Sequence, residues 1–211
     1  MSELTLFVDS LFHSPWAMSA FVALEEKGLP HRLEVVKLGQ GDARLAGNLS
    51  RTGRVPALRH GDYWLAESTA IAEYLAETFP FPKHPRLFPE NLQQRGICRE
   101  LQAWLRSDLA PIRSERSTTM VWWKRKPEPL SAAAQATREK IIAALDPLIK
   151  DGQTTLFEAW CIADADVAVL LQRMNLNGDA LPKKLVAYAE ANWARPSIAK
   201  WNAMPRPASP D

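Results

Sequence analysis

Four prolines, Pro80, Pro82, Pro85 and Pro89, fall within ten residues and divide the chain into two stretches of different pattern. Each removes a backbone donor and pushes the residue before it toward extended conformations, so neither a helix nor an interior strand is expected to run through this segment. Residues 80–89 therefore read as a linker, with one domain over 1–79, a second over 90–204 and a loose tail over 205–211. At 211 residues the chain has room for two modest domains, each with its own core.

Before the prolines, strand and helix patterns alternate. Leu4 to Val8 is a short, weakly alternating run ending at Asp9-Ser10, which suits the first strand of a partly buried sheet. Trp16, Ser19, Ala20, Ala23, Leu24 and Lys27 recur at three and four residues, and Gly28 is placed to end that helix in the left-handed region. Leu33 to Leu38 reads as a second strand, parallel to the first through a right-handed crossover. Pro56 to Arg59 and Tyr63 to Leu65 read as a hairpin joined through His60-Gly61-Asp62, and Ala70, Ile71, Tyr74, Leu75 and Thr78 mark an amphipathic helix. This β-α-β, β-β-α order is thioredoxin-like.

After the prolines only helical periodicity remains, with Ile97, Leu101, Trp104 and Leu105 in one segment and Ile141, Ile142, Leu145, Leu148 and Ile149 in another. Trp122 to Pro127 reads as a connection between helices. The expected fold class is α+β, an N-terminal thioredoxin-like βαβ-ββα domain followed by an all-α helical domain.

Composition narrows the function. The chain is 46% hydrophobic and 24% charged, ordinary for a globular protein, and a formal charge of +2 supplies no field that implies nucleic acid. Lys124-Arg125-Lys126 beside two tryptophans is too small a basic footprint to change that. Cys98 and Cys161 are too few and too isolated for a disulfide framework, and no CxxC pair suggests zinc or a redox dithiol. No run approaches the roughly 18 apolar residues of a membrane span, and Met1 to Leu4 has no targeting pattern. A cytoplasmic protein without membrane or metal partners is the expectation.

Three local features carry candidate chemistry. Ser14-Pro15, between the first strand and the first helix, is a favoured cap pair; the same helix N-terminus offers partial positive charge and a hydroxyl donor to a thiolate brought there by a ligand. Val55-Pro56 suits the start of a strand, and as a cis peptide it would turn the Val55 N–H and C=O toward the backbone of an extended ligand. Ser68 reads as the cap of the helix that follows, with Glu67 before it; Ser68 and the free N–H groups behind it suit a carboxylate, and Glu67 suits a neighbouring ammonium. A γ-linked glutamyl group carries both charges on one carbon. His13 has no partner that the sequence identifies.

Ser14-Pro15, the run Gly53-Arg54-Val55-Pro56-Ala57-Leu58, and Glu67-Ser68-Thr69-Ala70-Ile71, with Glu67 eleven residues after Pro56, occur in an order and spacing that resembles the glutathione S-transferases. Trp104 to Arg113 and Trp160 to Asp164 resemble a bacterial subgroup, so the likeness covers nearly the whole chain. It implies a cytosolic, serine-type enzyme in which Ser14 faces the thiol of glutathione, bound as co-substrate. It also implies that Val55 pairs with the cysteinyl backbone, that Pro56 is the family's cis-proline and that Glu67 with Ser68 holds the γ-glutamyl end. The implied reaction is conjugation of the thiolate to a small hydrophobic electrophile, or reduction of an organic hydroperoxide, by a homodimer serving detoxification under oxidative stress. A glutathione-dependent isomerase or dehalogenase and a noncatalytic scaffold are the other readings.

Two places depart from the pattern. Lys37 to Thr52 matches loosely, with Ser50-Arg51 where Asn-Pro is usual, so the glycyl carboxylate falls to Arg54 by position, ahead of Lys37 and Arg44. Cys161 stands where the family usually has Ser or Thr in the capping box of a buried helix, which leaves Asp164 reaching back to the Cys161 N–H as the stronger half of that cap. Trp122, Trp123 and Arg113 read as packing residues ahead of pocket residues.

Overall fold

The computed structural model describes residues 3–36, 52–123 and 127–208. The chain divides into two compact units, Met1–Leu87 with Lys200–Pro207, and Phe88–Ala199 with Ala208–Asp211.

The first unit holds β1 (Leu4–Asp9), α1 (Pro15–Glu26), β2 (His31–Val36), β3 (Ala57–His60), β4 (Tyr63–Ala66) and α2 (Ser68–Thr78). The four strands form one sheet in the order β2-β1-β3-β4, with β1 and β2 parallel and the other pairs antiparallel. This is the expected thioredoxin-like arrangement. In a sheet expected to be partly buried, all six residues of β1 are buried. As an interior strand flanked by β2 and β3, it has no solvent face for its weak alternation to mark.

Each end of α1 is set by local chemistry. Ser14 is its cap, with Oγ accepting from the Ala17 N–H at 3.2 Å, and Pro15 occupies the first turn, where no donor is needed. At the other end Gly28 sits at φ +61°, its N–H donating to Glu25 O at 2.9 Å while the Leu29 N–H donates to Leu24 O at 3.1 Å. These are the two bonds of a Schellman motif, and they need a residue that tolerates positive φ. Residues Ala17 to Leu24 are all buried, and α1 packs against β1 and α2.

The β3–β4 hairpin turns at Gly61, φ +60°, with His60 and Tyr63 paired across the turn. One expectation fails at the next junction. The cap of α2 is Glu67, not Ser68; Ser68 is already the first helical residue, and the Glu67 side chain makes no capping bond.

The second unit contains α3 (Leu92–Ser107), α4 (Ala110–Glu115), α5 (Thr118–Trp123), α6 (Ala132–Leu145), α7 (Ile162–Asn175) and α8 (Lys183–Trp193). A last helix, α9 (Pro196–Asn202), leads into the segment that groups with the first unit. Trp122 and Trp123 end α5 and are not connecting residues, while 124–126 lie outside the described residues. The α6 pattern extends through Ile149, but the helix stops at Leu145; Asp146 still has helical dihedrals, φ −58° and ψ −40°, and the next residue, Pro147, has no N–H with which to extend the ladder.

The centre of the second unit is α7, where Ile162 to Met174 are all buried. Its start depends on Asp164, fully buried, whose Oδ2 accepts the Cys161 N–H at 2.7 Å, while Oδ1 accepts the Leu156 N–H at 2.7 Å and the Tyr188 hydroxyl at 2.6 Å. Asp166, two residues on, accepts from Gln102 Nε2 at 2.8 Å and Arg106 Nη2 at 3.1 Å, which ties α7 to α3.

Candidate functional site

The sheet register brings the sequence-singled residues of the first unit to one end. Phe7 of β1 faces Ala57 of β3, and Ala57 faces Ala66 of β4. The residues just beyond these pairs are the loop after Asp9 leading to Ser14, then Val55-Pro56, then Glu67-Ser68. With strands about 4.8 Å apart, the three segments stand side by side over roughly 10 Å.

Ser14 enters this end on the loop 10–14, and a buried carboxylate holds that loop. Asp9 Oδ1 accepts from the His13 N–H at 3.0 Å and from His13 Nδ1 at 2.7 Å, and Oδ2 accepts from the Ser14 N–H at 3.2 Å. Burial pushes the Asp9 carboxyl up, but the His13 side-chain and backbone bonds, the imidazole charge and the Ser14 N–H outweigh it and hold the group below its ordinary value. Phe12 adopts φ +49°, and its carbonyl accepts from Arg206 at 2.8 Å (Nη2) and 3.2 Å (Nε). The tail expected over 205–211 thus includes a guanidinium bound to the loop before α1. Ser14 Oγ, having accepted the Ala17 N–H, keeps its hydroxyl proton for another acceptor.

Val55-Pro56 is cis. Val55 is half-buried against the cluster of Phe7, Val36 and Ala57, with Trp64 beside it, so this strand start is fixed by packing. Gly53 before it has φ +62°, and Arg54 is exposed. Glu67 is exposed and sits at φ +70°, a region that a non-glycine residue enters at a cost of about 1–3 kcal/mol. That geometry turns the chain so that the buried Ser68 and the N-terminus of α2 follow at once.

Other candidates fall elsewhere. Lys37 and Arg44 lie outside the described residues. In the second unit Arg113 donates to Arg106 O at 2.9 Å, and Trp122 packs on Trp193 with ring centroids 6.2 Å apart, so both are engaged in packing. Among the described residues no group of three His, Cys, Asp or Glu is arranged to hold a metal ion, and no helix is long and apolar enough to cross a membrane.

Sequence reasoning missed the Asp9–His13 pair and Arg206. The first left a readable signal, an acid at a strand end four residues before a histidine. The second left none, because 194 residues separate Arg206 from Phe12.

Residues 13–78 match the model of the glutathione S-transferase N-terminal domain, and residues 91–206 match that of the C-terminal domain. A glutathione transferase homolog from Burkholderia GL BGR1, solved with bound glutathione, is 38% identical and superimposes with a TM-score of 0.78 over 95% of this chain and 96% of that one. Glutathione S-transferase theta-1 of Rattus norvegicus is 27% identical over 168 residues, 79% of this chain but only 65% of the relative, so the match spans just under two thirds of that protein. Maleylacetoacetate isomerase of Rattus norvegicus is 31% identical over 109 residues, 50% of this chain and 49% of that enzyme. With both domain models matched in order on a thioredoxin-like unit and a helical unit, the chain belongs to the glutathione S-transferase family.

Proposed function

We propose that this protein is a glutathione transferase, which binds glutathione along the end of its sheet and adds the thiolate to a small hydrophobic electrophile. The observation that carries the reading is the register that lines up Ser14, Val55-Pro56 and Glu67-Ser68. Three extended residues span about 10 Å, the width of that row.

In this reading Glu67 pairs with the γ-glutamyl ammonium, while Ser68 and the first N–H groups of α2 hold its carboxylate. The Val55 main chain pairs with the cysteinyl backbone beside Pro56, and Arg54 takes the glycyl carboxylate. The Ser14 hydroxyl donates to sulfur, and the α1 N-terminus adds partial positive charge, so the thiol loses its proton to solvent. The thiolate then attacks carbon, a carbon–sulfur bond forms and the leaving group departs with its electron pair. With a hydroperoxide the thiolate attacks oxygen, the O–O bond breaks and an alcohol leaves. A second glutathione reduces the resulting sulfenic acid to disulfide and water. Catalysis rests on positioning and electrostatics, without a covalent link to protein.

The second reading, a glutathione-dependent isomerase, draws on the similarity to maleylacetoacetate isomerase over half the chain. We take the working form to be a cytoplasmic homodimer. Assays of the purified protein with glutathione against aryl halides, hydroperoxides, haloacids and maleylacetoacetate test the assignment, with its mass measured in solution. Turnover of an aryl halide or hydroperoxide is expected. Turnover of maleylacetoacetate alone would replace transferase by isomerase, and no glutathione binding by calorimetry would overturn both.

A further inference from the structure

A cleft of about 510 Å³ opens in the first unit at the end of the sheet opposite Ser14. Leu4 and His31, paired at the start of β1 and β2, line it, whereas Ser14 follows the far end of β1. Six strand residues at about 3.3 Å each put roughly 17–20 Å between the two. The volume lies within the range of small-molecule sites, about 300–1,000 Å³.

Hydrogen bonds build its walls. Lys27, the buried cap residue of α1, accepts from His84 Nδ1 on its carbonyl at 3.1 Å and donates Nζ to Pro85 O at 2.8 Å. The His84 N–H also bonds Pro80 O at 3.2 Å, closing a turn inside the stretch 80–85, which the two bonds to Lys27 hold against the end of α1. Buried Leu4, Leu29 and Phe79 supply the apolar surface. The His84 ring meets Phe79 edge-on, with centroids 5.5 Å apart.

Those bonds also set the chemistry on offer. A carbonyl only accepts, so His84 Nδ1 carries a proton, and in the neutral ring Nε2 is an acceptor. Among the described residues Nε2 of His84 has no partner. His31 is fixed in the same way by Leu29 O at 2.9 Å, but its Nε2 already faces Glu25 at 3.9 Å. The exposed lining residues, Glu3 and Arg32, are ion-paired to each other and leave no net charge at the mouth. A charged ligand would therefore be desolvated against apolar walls, since the nearby Lys27 Nζ already donates to Pro85 O and Lys27 does not line the cleft.

We propose that this cleft is a second binding site, separate from the candidate glutathione site, for a neutral aromatic molecule whose single hydroxyl or N–H donates to His84 Nε2. Phe79 and the leucines take its ring. The site needs nothing from the transferase reading, since every group named belongs to the opposite end of the sheet.

The test titrates the full-length protein with 2-naphthol, with naphthalene and 2-naphthoate as comparison probes, in excess S-hexylglutathione to occupy the glutathione end. One equivalent of 2-naphthol is expected to bind, at least about tenfold more tightly than either comparison probe, the worth of one buried hydrogen bond. The His84 ring nitrogen resonance should shift on binding. His84→Phe should lose that preference, and Leu29→Trp should abolish binding by filling the cleft, with circular dichroism unchanged for at least one of the two. Equal binding of naphthalene and 2-naphthol, no shift at His84, or unaltered 2-naphthol binding in a folded variant would overturn the proposal, whatever the glutathione assays return.

Discussion

At the scale of single residues, three side chains separate function from folding. Ser14 is both a helix cap and the proposed donor to sulfur, so its removal has two effects that different substitutions divide. Ser14→Ala is expected to cost about 1 kcal/mol of stability through the lost cap. It should also lower turnover with a model aryl halide by about 10²-fold, the scale for losing one donor to a developing anion. Ser14→Thr keeps cap and hydroxyl and should retain most of both. Unchanged kcat in Ser14→Ala would leave the residue a cap alone. Glu67 is held at φ +70°. Glu67→Gly should relieve backbone cost of about 1–3 kcal/mol, partly offset by about 1 kcal/mol of added unfolded-state freedom. Its melting temperature is thus expected to hold or rise while glutathione affinity falls at least about tenfold; loss of both would refute the division. Asp9 makes a pH prediction. Its folded pKa lies below the ordinary 3.8, so the stability it contributes is present above that pH and is lost as pH falls through the lower folded value. The stability gap between wild type and Asp9→Asn should shrink as pH falls below about 4.

At the scale of elements, α7 shows how one carboxylate starts a helix. Asp164 serves three buried donors, from Cys161, Leu156 and Tyr188, and the Cys161 thiol at the cap position is too weak an acceptor to replace it. Asp164→Ala strands all three, and each unsatisfied buried donor costs about 1–3 kcal/mol. Denaturant unfolding should show a loss of 3 kcal/mol or more by that arithmetic, against less for Asp164→Asn, which keeps one acceptor oxygen. A loss under about 1 kcal/mol would mean that water replaces the carboxylate. The box itself was legible as Cys161-Ile162-Ala163-Asp164, but its outer partners were not, because Leu156 and Tyr188 reach Asp164 through the folded chain. The α2 start differs from the Ser68 cap that local propensity predicts for a related reason. Local propensity favours serine as a cap, yet the tight turn out of β4 takes Glu67 for that position.

At the scale of the molecule, the first unit is not one continuous stretch of sequence. It takes in Lys200–Pro207, and with it Trp201, fully buried against Phe12 and Phe21 at centroid distances of 5.7 and 5.4 Å. Trp201→Ala is therefore expected to destabilise the unit that carries Ser14, by about 3–5 kcal/mol, although it lies near the other end of the chain. Denaturation followed by the loss of glutathione binding checks this. Unfolding that leaves glutathione binding intact to the wild-type midpoint would disconnect the two.

Whatever rests on neighbours along the chain is legible in the residues alone. The β-α-β, β-β-α order, the cap at Ser14, the Gly28 stop and the change to helical periodicity after the prolines all follow from short-range propensity and pattern. The register that lines up Ser14, Val55 and Glu67 needed strand pairing, which alternation implies but does not align. What holds that row and what lies behind it depends on contacts between distant parts of the chain. Asp9 clamps the Ser14 loop from the strand end, Arg206 closes it from the far end of the chain, and the His84 cleft forms where the proline-rich stretch folds back onto α1. Contacts of that kind join residues whose separation in sequence carries no periodic signal, so only the closed chain brings them together.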